Sequence, residues 1–322
     1  MANQDAAELC FPQLLNVSCR KPKHHQSDTV LLYLLFFIAV VTVILNLLVI
    51  ISVSHFRQLH TPTNLLLLSL AVSDFLLGLV VMPLEAHRQT GCWQLGDHVC
   101  FLHVFVSSFT VSVSIGGMVL ISADRYVAIC DPLHYPTRVT VRRVKVNLIF
   151  RDDLIYPGRY NSCYGQCVAV VDYISGVLDI VLSFIGPVTA ILVLYTRVFL
   201  TAVSQARAMR SHVAATTLHH SGTVLSKKSE LKAARTLGIV VVVFLTCFCP
   251  FYCLSLVDSS VNNLPAASGV FMLCLSPCLN PVIYALFYPW FRKAIRLIIS
   301  LQILQPGSLS YSQIQTVKTC FC

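Results

Sequence analysis

Six apolar stretches constrain this chain more than anything else in it: 30–54, 65–84, 101–121, 173–194, 237–257 and 266–286. The hydrocarbon core of a bilayer is about 30 Å thick and a helix rises about 1.5 Å per residue, so about 20 apolar residues make one span. Only 11% of the 322 residues are charged and 56% are hydrophobic, whereas a soluble globule carries about 25% charged residues. The spacing therefore predicts one all-α membrane domain. An N-terminal segment occupies 1–29, a bundle 30–286, and an amphipathic helix with a tail 287–322. Pro83, Pro187, Pro250, Pro277 and Pro281 fall inside spans, where neighbouring helices can satisfy the freed backbone groups.

The net charge of +9 raises the question of nucleic acid, but the basic residues flank the spans and form no domain of their own. They read instead as loops facing anionic lipid. Arg197, Arg207, Arg210, Lys227, Lys228, Lys232 and Arg235 place the loop after the 173–194 span in the cytoplasm, while the link "DSSVNNLP" has neither Lys nor Arg and belongs outside. The acceptor triplet Asn16-Val17-Ser18 puts the N-terminus outside, with Asn16 as the glycosylation site. "MANQDAAELC" lacks the basic-then-apolar pattern of a cleaved signal, so the first span is expected to serve as its own.

These orientations collide. Three spans leave the chain inside at Asp124-Arg125-Tyr126 and at the basic Arg138, Arg142, Arg143 and Lys145, yet it must be outside at Tyr173. The only apolar run between is "VNLIF", 146–150, about 7.5 Å of helix or a quarter of the core. A crossing helix is missing from the sequence, and 146–150 reads as its remnant.

The motifs then point to one family. "SADRYVAICDPLHYPTRVT", "CFCPFY" and "LSPCLNPVIYALFYPWFRKA" resemble the rhodopsin-like G-protein-coupled receptors. "NSCYGQC" and "FYPWFRKA" are similar to the trace amine-associated receptors within that class. The resemblance covers nearly the whole chain and fails at the fourth helix. It implies a rhodopsin-like seven-helix bundle with the fourth helix missing, leaving six full spans. It further implies a plasma-membrane receptor, for the most part olfactory in this family, with an amine as ligand and a heterotrimeric G protein of the stimulatory class as partner.

By resemblance, Arg125 of Asp124-Arg125-Tyr126 meets the G protein, and Glu230 is its candidate inactive-state partner. Phe248, Pro250, Asn280, Pro281 and Tyr284 belong to the switch, although the family more often has tryptophan at Phe248. An Arg–Glu pair across two helix ends is a plausible bistable latch; the alternative is an ordinary interfacial charge. Asp74, with Ser114 and Asn280 and hydrogen-bonded toward Asn46, matches the family's sodium site; the alternative is a polar network without an ion. No other cofactor is implied.

Most aminergic relatives carry the ammonium-binding aspartate 18 residues before the arginine of Asp-Arg-Tyr, which here is Ser107. Asp179, eight residues before Pro187, resembles a fish subset in which the carboxylate has moved to the fifth helix. A charge at membrane depth costs about 3 kcal/mol on insertion scales, so a carboxylate there wants a cation. Ser107, Ser108, Val111, Phe251, Tyr252 and Cys274 are expected to complete the pocket, the aromatics offering cation–π contact. Asp179 could instead be protonated or face water. Glu85, Asp172 and Asp258 could serve the second amine of a diamine, but are expected to sit in water.

Fourteen cysteines show no metal-ligand spacing. By resemblance Cys100 pairs with Cys167, and Cys163 with Cys19 or else Cys10. Cys320 and Cys322 are candidate palmitoylation sites. No internal repeat suggests a transporter, and no nucleophile–base set suggests an enzyme. The competing reading is a receptor-derived chain, from splicing, a pseudogene or a gene-model error, that is retained in the endoplasmic reticulum and does not signal.

Overall fold

The computed structural model describes residues 9–14, 17–21, 26–89, 91–131, 163–168, 173–215, 238–253 and 263–301. They form seven helices: α1 Gln26–His55, α2 Pro62–Gln89, α3 Gly96–Cys130, α4 173–215, α5 Gly238–Cys253, α6 Asn263–Phe287 and α7 Pro289–Ile299. Stretches Thr29–His55, Pro62–Gln89, Gly96–Cys130, Gly176–Gln205 and Gly269–Phe287 are long and apolar enough to cross a membrane. α5 is the expected span 237–257; its described part has 16 residues, about 24 Å at the usual rise. Residues 254–257 of that span, and the expected remnant 146–150, lie outside the described residues.

The helix starts follow from local chemistry. Thr61 has extended backbone, Pro62 fills the first turn of α2, and the Thr61 hydroxyl accepts the Asn64 N–H at 3.3 Å, a cap worth about 1 kcal/mol. α7 likewise starts with an extended residue before a proline, Tyr288-Pro289, but without a side-chain cap. It buries Trp290, Phe291 and Ala294 while Arg292, Lys293 and Arg296 stay exposed, the amphipathic helix expected after the bundle. α2 and α4 each contain a π-helical segment, Leu77–Val81 and Val181–Ile185.

Pro281 has no N–H to give the Pro277 carbonyl, as a helix would require. The Asn46 side-chain amide of α1 donates to that carbonyl instead, at 3.0 Å, and to the Thr42 carbonyl at 2.9 Å. The main apolar cluster joins α1, α2, α3, α5 and α6 through Val49, Leu67, Met118, Phe244 and Tyr284, all at most 1% exposed. α4 contributes Phe184 and Ile191 to it and shows Ile174, Leu182, Leu192, Phe199 and Leu200 outward. Apolar exposure of that kind suits lipid, whose tails resemble leucine.

A small cap is stapled to the opposite end of the bundle from Arg125. Its bridges are Cys100–Cys167, Cys19–Cys163 and Cys10–Cys92. The first two match expectation. The third was not among the expectations: Cys10, the less favoured alternative partner for Cys163, binds Cys92 and ties the N-terminal segment to the α2–α3 loop. The backbone agrees, with Cys10 N–H donating to the Cys19 carbonyl at 2.8 Å and Cys19 N–H to the Tyr164 carbonyl at 2.8 Å. Trp93 N–H donates to the Gly165 carbonyl at 2.9 Å. Gly165 has φ 103°, and a Cβ there would sit 2.8 Å from Cys10 Cβ, so only glycine fits under the staple.

Candidate functional site

Three polar groups lie along the bundle axis. At the end away from the cap, Arg125 folds onto its neighbour, its Nε and guanidinium NH2 donating to Asp124 Oδ2 at 3.0 and 2.5 Å. Thr63 of α2 completes the cluster by donating to Asp124 Oδ2 at 2.8 Å and accepting from Arg125 at 2.6 Å. Glu230, the partner expected from sequence, lies outside the described residues. Thr63 is a member of this cluster that sequence reasoning missed; as one of several hydroxyls around a helix start it reads as capping chemistry.

Tyr126 is half-buried beside Ile129 and Val198. Tyr284 is 1% exposed and makes edge contacts with Tyr288 and Phe291 at 6.2 and 6.5 Å. Burial pushes the Tyr288 phenol up to about 12. Phe248 is buried and stacks on Phe244 at 4.1 Å, and Pro250 follows half-buried in α5.

At mid-bundle Asp74 is 1% exposed. Its Oδ2 accepts from Asn280 Nδ2 at 3.0 Å and its Oδ1 from Ser114 at 3.4 Å; Ser73 lies 3.5 Å from Ser114. Asn46 does not bond Asp74 as expected, because the Pro277 carbonyl claims its amide. That leaves Asn46 Oδ1 and Asn280 Oδ1 buried without hydrogen-bond partners among the described residues. The Asp74 carboxylate, the Ser114 and Ser73 hydroxyls and the Asn280 side-chain oxygen form an all-oxygen donor set, and such a set fits a hard cation.

Toward the cap, the expected pocket residues divide between two groups. Val111, Phe251 and Tyr252 join the main cluster, where Tyr252 stacks on Phe184 at 4.2 Å and meets Phe251 edge-on at 5.3 Å. Asp179 stands on this side, in the helical segment Tyr173–Ile180 directly before the π segment of α4; its side chain is outside the described set. Cys274 lies apart, buried with Leu35, Leu77 and Met82 of α1 and α2. Ser107 is half-buried, its hydroxyl without a partner among the described residues, whereas Ser108, about 100° round the helix, is exposed.

Glu85 departs most from expectation. It is not in water: its side chain is 9% exposed and accepts Arg88 Nε and NH2 at 2.8 and 2.6 Å and Gln89 at 2.9 Å. His103 Nε2 stands 3.6 Å from its Oε2. A π turn shifts the helical register of everything after it, and Glu85 lies just beyond the π segment of α2. Asp172 and Asp258 lie outside the described residues, as do Asn16, Cys320 and Cys322.

The chain matches the 7 transmembrane receptor (rhodopsin family) domain over residues 45–151 and 156–284. It is 39% identical to trace amine-associated receptor 13c of Danio rerio over 329 positions, covering 94% of this chain and 95% of that receptor. Trace amine-associated receptor 8b of Mus musculus is 38% identical, covering 96% and 97%, and trace amine-associated receptor 6 of Homo sapiens 37%, covering 94% and 94%. Helical architecture, paired cap cysteines, the Asp124-Arg125 cluster and these likenesses agree: the chain belongs to the rhodopsin-family seven-transmembrane receptors and, among them, to the trace amine-associated receptors.

Proposed function

We propose that the chain is an amine receptor of the plasma membrane, N-terminus outside, in which Asp179 binds the ligand's ammonium. One observation carries this reading: Asp179 is the only acid of the 173–205 stretch, it stands in the cap-side half of α4, and Phe184 follows it by five residues, stacked on Tyr252. A carboxylate removed from water favours its charged form when a cation meets it, and Phe251 and Tyr252 add ring faces. Ser107 and Val111 of α3 bound the remaining space, whereas Ser108, exposed, and Cys274, buried against α1 and α2, stand outside it. The relatives' names supply the ligand class, trace amines.

Signalling runs from this pocket to a heterotrimeric G protein of the stimulatory class. The Thr63–Asp124–Arg125 cluster holds the inactive arrangement, and Glu230 would add to it. Asp74, Ser114 and Asn280 would hold an allosteric sodium ion, whose positive charge would offset the buried carboxylate. An olfactory role, a glycan on Asn16 and acyl chains on Cys320 and Cys322 complete the reading.

A second reading has its own support, that the fourth helix has been lost and the chain does not signal unaided. The alignment with the Danio rerio receptor runs over 329 positions but takes in 94% of 322 residues, about 303, so about 26 positions face no residue here. For the Mus musculus receptor, 339 positions against 96% of 322, about 309, leave about 30. One membrane helix needs about 20 residues, and the family match breaks at 151–156, beside the expected junction.

Surface labelling of an N-terminally tagged chain, beside a copy with a family fourth helix restored after Phe150, tests both readings when cyclic AMP is read against an amine panel. If the restored copy responds and Asp179→Ala silences it while surface levels hold, the pocket reading stands. A response that survives Asp179→Ala sinks it. A native chain that matches the restored copy sinks the second reading.

A further inference from the structure

The cap turns an apolar face outward. Leu14, Val17 and Tyr164 are 39%, 53% and 57% exposed. Unlike the outward residues of α4, they lie beyond the helices that can cross a membrane, so lipid tails do not cover them. Main-chain bonds bring the three together. Val17 and Ser18 N–H donate to the Leu14 carbonyl at 3.2 and 2.9 Å, and Tyr164 N–H donates to the Val17 carbonyl at 2.7 Å. The Phe11 ring meets the Tyr164 ring edge-on at 6.4 Å. The Ser18 hydroxyl accepts the Phe11 N–H at 2.8 Å and donates to the Cys19 carbonyl at 3.2 Å. Cys10–Cys92 and Cys19–Cys163 fix the two ends of this segment. Turning its apolar side chains inward would break the bonds between them.

A contiguous apolar patch held open to water marks a place where something binds. This one is three or four side chains, against the roughly 20–30 residues a side of a standard protein interface, so its occupant is small. The sequence supplies one at the site. Leu15 and Asn16, which lie outside the described residues, join Leu14 to Val17, and Asn16-Val17-Ser18 is a glycosylation acceptor triplet. A sugar on Asn16 is tethered beside Val17, so packing it spares the translational freedom that a free ligand would lose. A pyranose carries C–H bonds on its faces and hydroxyls on its rim, so it can lie on an apolar surface while its edge stays hydrated. The negative face of an aromatic ring favours those C–H groups. We infer that the first N-acetylglucosamine of an Asn16 glycan lies on Val17 and the Tyr164 ring, covers this patch, and clamps segment 10–19 onto segment 163–167.

The inference rests on the glycan proposed for Asn16, and its test separates the two. The full chain is made in cells that attach N-glycans, trimmed enzymatically to the first sugar, and placed in lipid nanodiscs beside Asn16→Gln, which carries none. Amide hydrogen exchange is followed in the peptide covering 11–19. The single sugar is expected to slow exchange there at least about threefold, the size of one ring contact. Tyr164→Ser keeps the main-chain bonds to Val17 and Cys19 but removes the ring, and in that background the sugar should make no difference. Tyr164→Phe should restore the effect. Equal slowing with and without the ring, or no slowing in either, overturns the packing and leaves the glycan standing. Peptide mapping that finds Asn16 bare overturns the glycan and the packing together.

Discussion

Thr63→Val isolates the latch at the Arg125 end with little change of shape. The side chain keeps its volume and branching but loses the hydroxyl that donates to Asp124 at 2.8 Å and accepts from Arg125 at 2.6 Å. Each hydrogen bond to a charged group contributes about 1.5–3 kcal/mol. Asp124 and Arg125 keep each other at 2.5 Å, so the net loss is about 2 kcal/mol rather than the full sum. If the Thr63 contacts exist only in the inactive arrangement, that loss moves the equilibrium toward the active one by about 30-fold. Basal cyclic AMP per surface receptor, measured in the copy with a restored fourth helix, should rise severalfold, and Thr63→Ser should return it to the starting level. A fall in thermal stability with basal signalling unchanged would show that both arrangements keep the contacts, and the latch reasoning would be refuted.

The cap gives a second prediction. With Cys19–Cys163 and Cys100–Cys167 closed, the Cys10–Cys92 bridge completes a ring through segments 10–19, 163–167 and 92–100, 24 residues round, worth about 3 kcal/mol in the chain-entropy account. The double substitution Cys10→Ser and Cys92→Ser should therefore lower the melting temperature by several degrees, and unchanged melting would contradict the pairing. Gly165→Ala should hinder formation of the same bridge, through its φ of 103° and the 2.8 Å approach to Cys10, as peptide mapping without reductant would reveal. Asp74→Asn keeps the hydrogen-bonding shape but drops the charge, so it should abolish any difference in melting between sodium and choline buffers. A sodium effect that persists in that variant would remove Asp74 from the ion site.

The helices were legible because membrane depth forbids alternatives: 20 apolar residues in lipid must satisfy their own backbone, and a helix does that. The Asp74–Asn280 contact and two of the three bridges were legible through family resemblance. Asn46 was misplaced because its sequence context does not reveal that Pro281 frees a carbonyl one turn back. Cys10–Cys92 escaped because several pairings of the outer cysteines fit the same spacing. Glu85 was expected in water because hydropathy treats an acid near a span end as a rim residue. The π segment before it, and the Arg88 and Gln89 that solvate it, are properties of the folded helix. Thr63 was missed because its partners, Asp124 and Arg125, are 61 and 62 positions away.

The Asn46–Pro277 bond has a consequence for how the bundle can move. A proline-broken helix bends most easily where its carbonyl is free, but in α6 that carbonyl is gripped by a side chain of α1. Bending α6 at this level must either drag α1 along or break the grip. α1 thus acts as the doorpost on which α6 is hung, with Asn46 as the hinge pin. Loosening the pin would let α6 swing without instruction from a ligand.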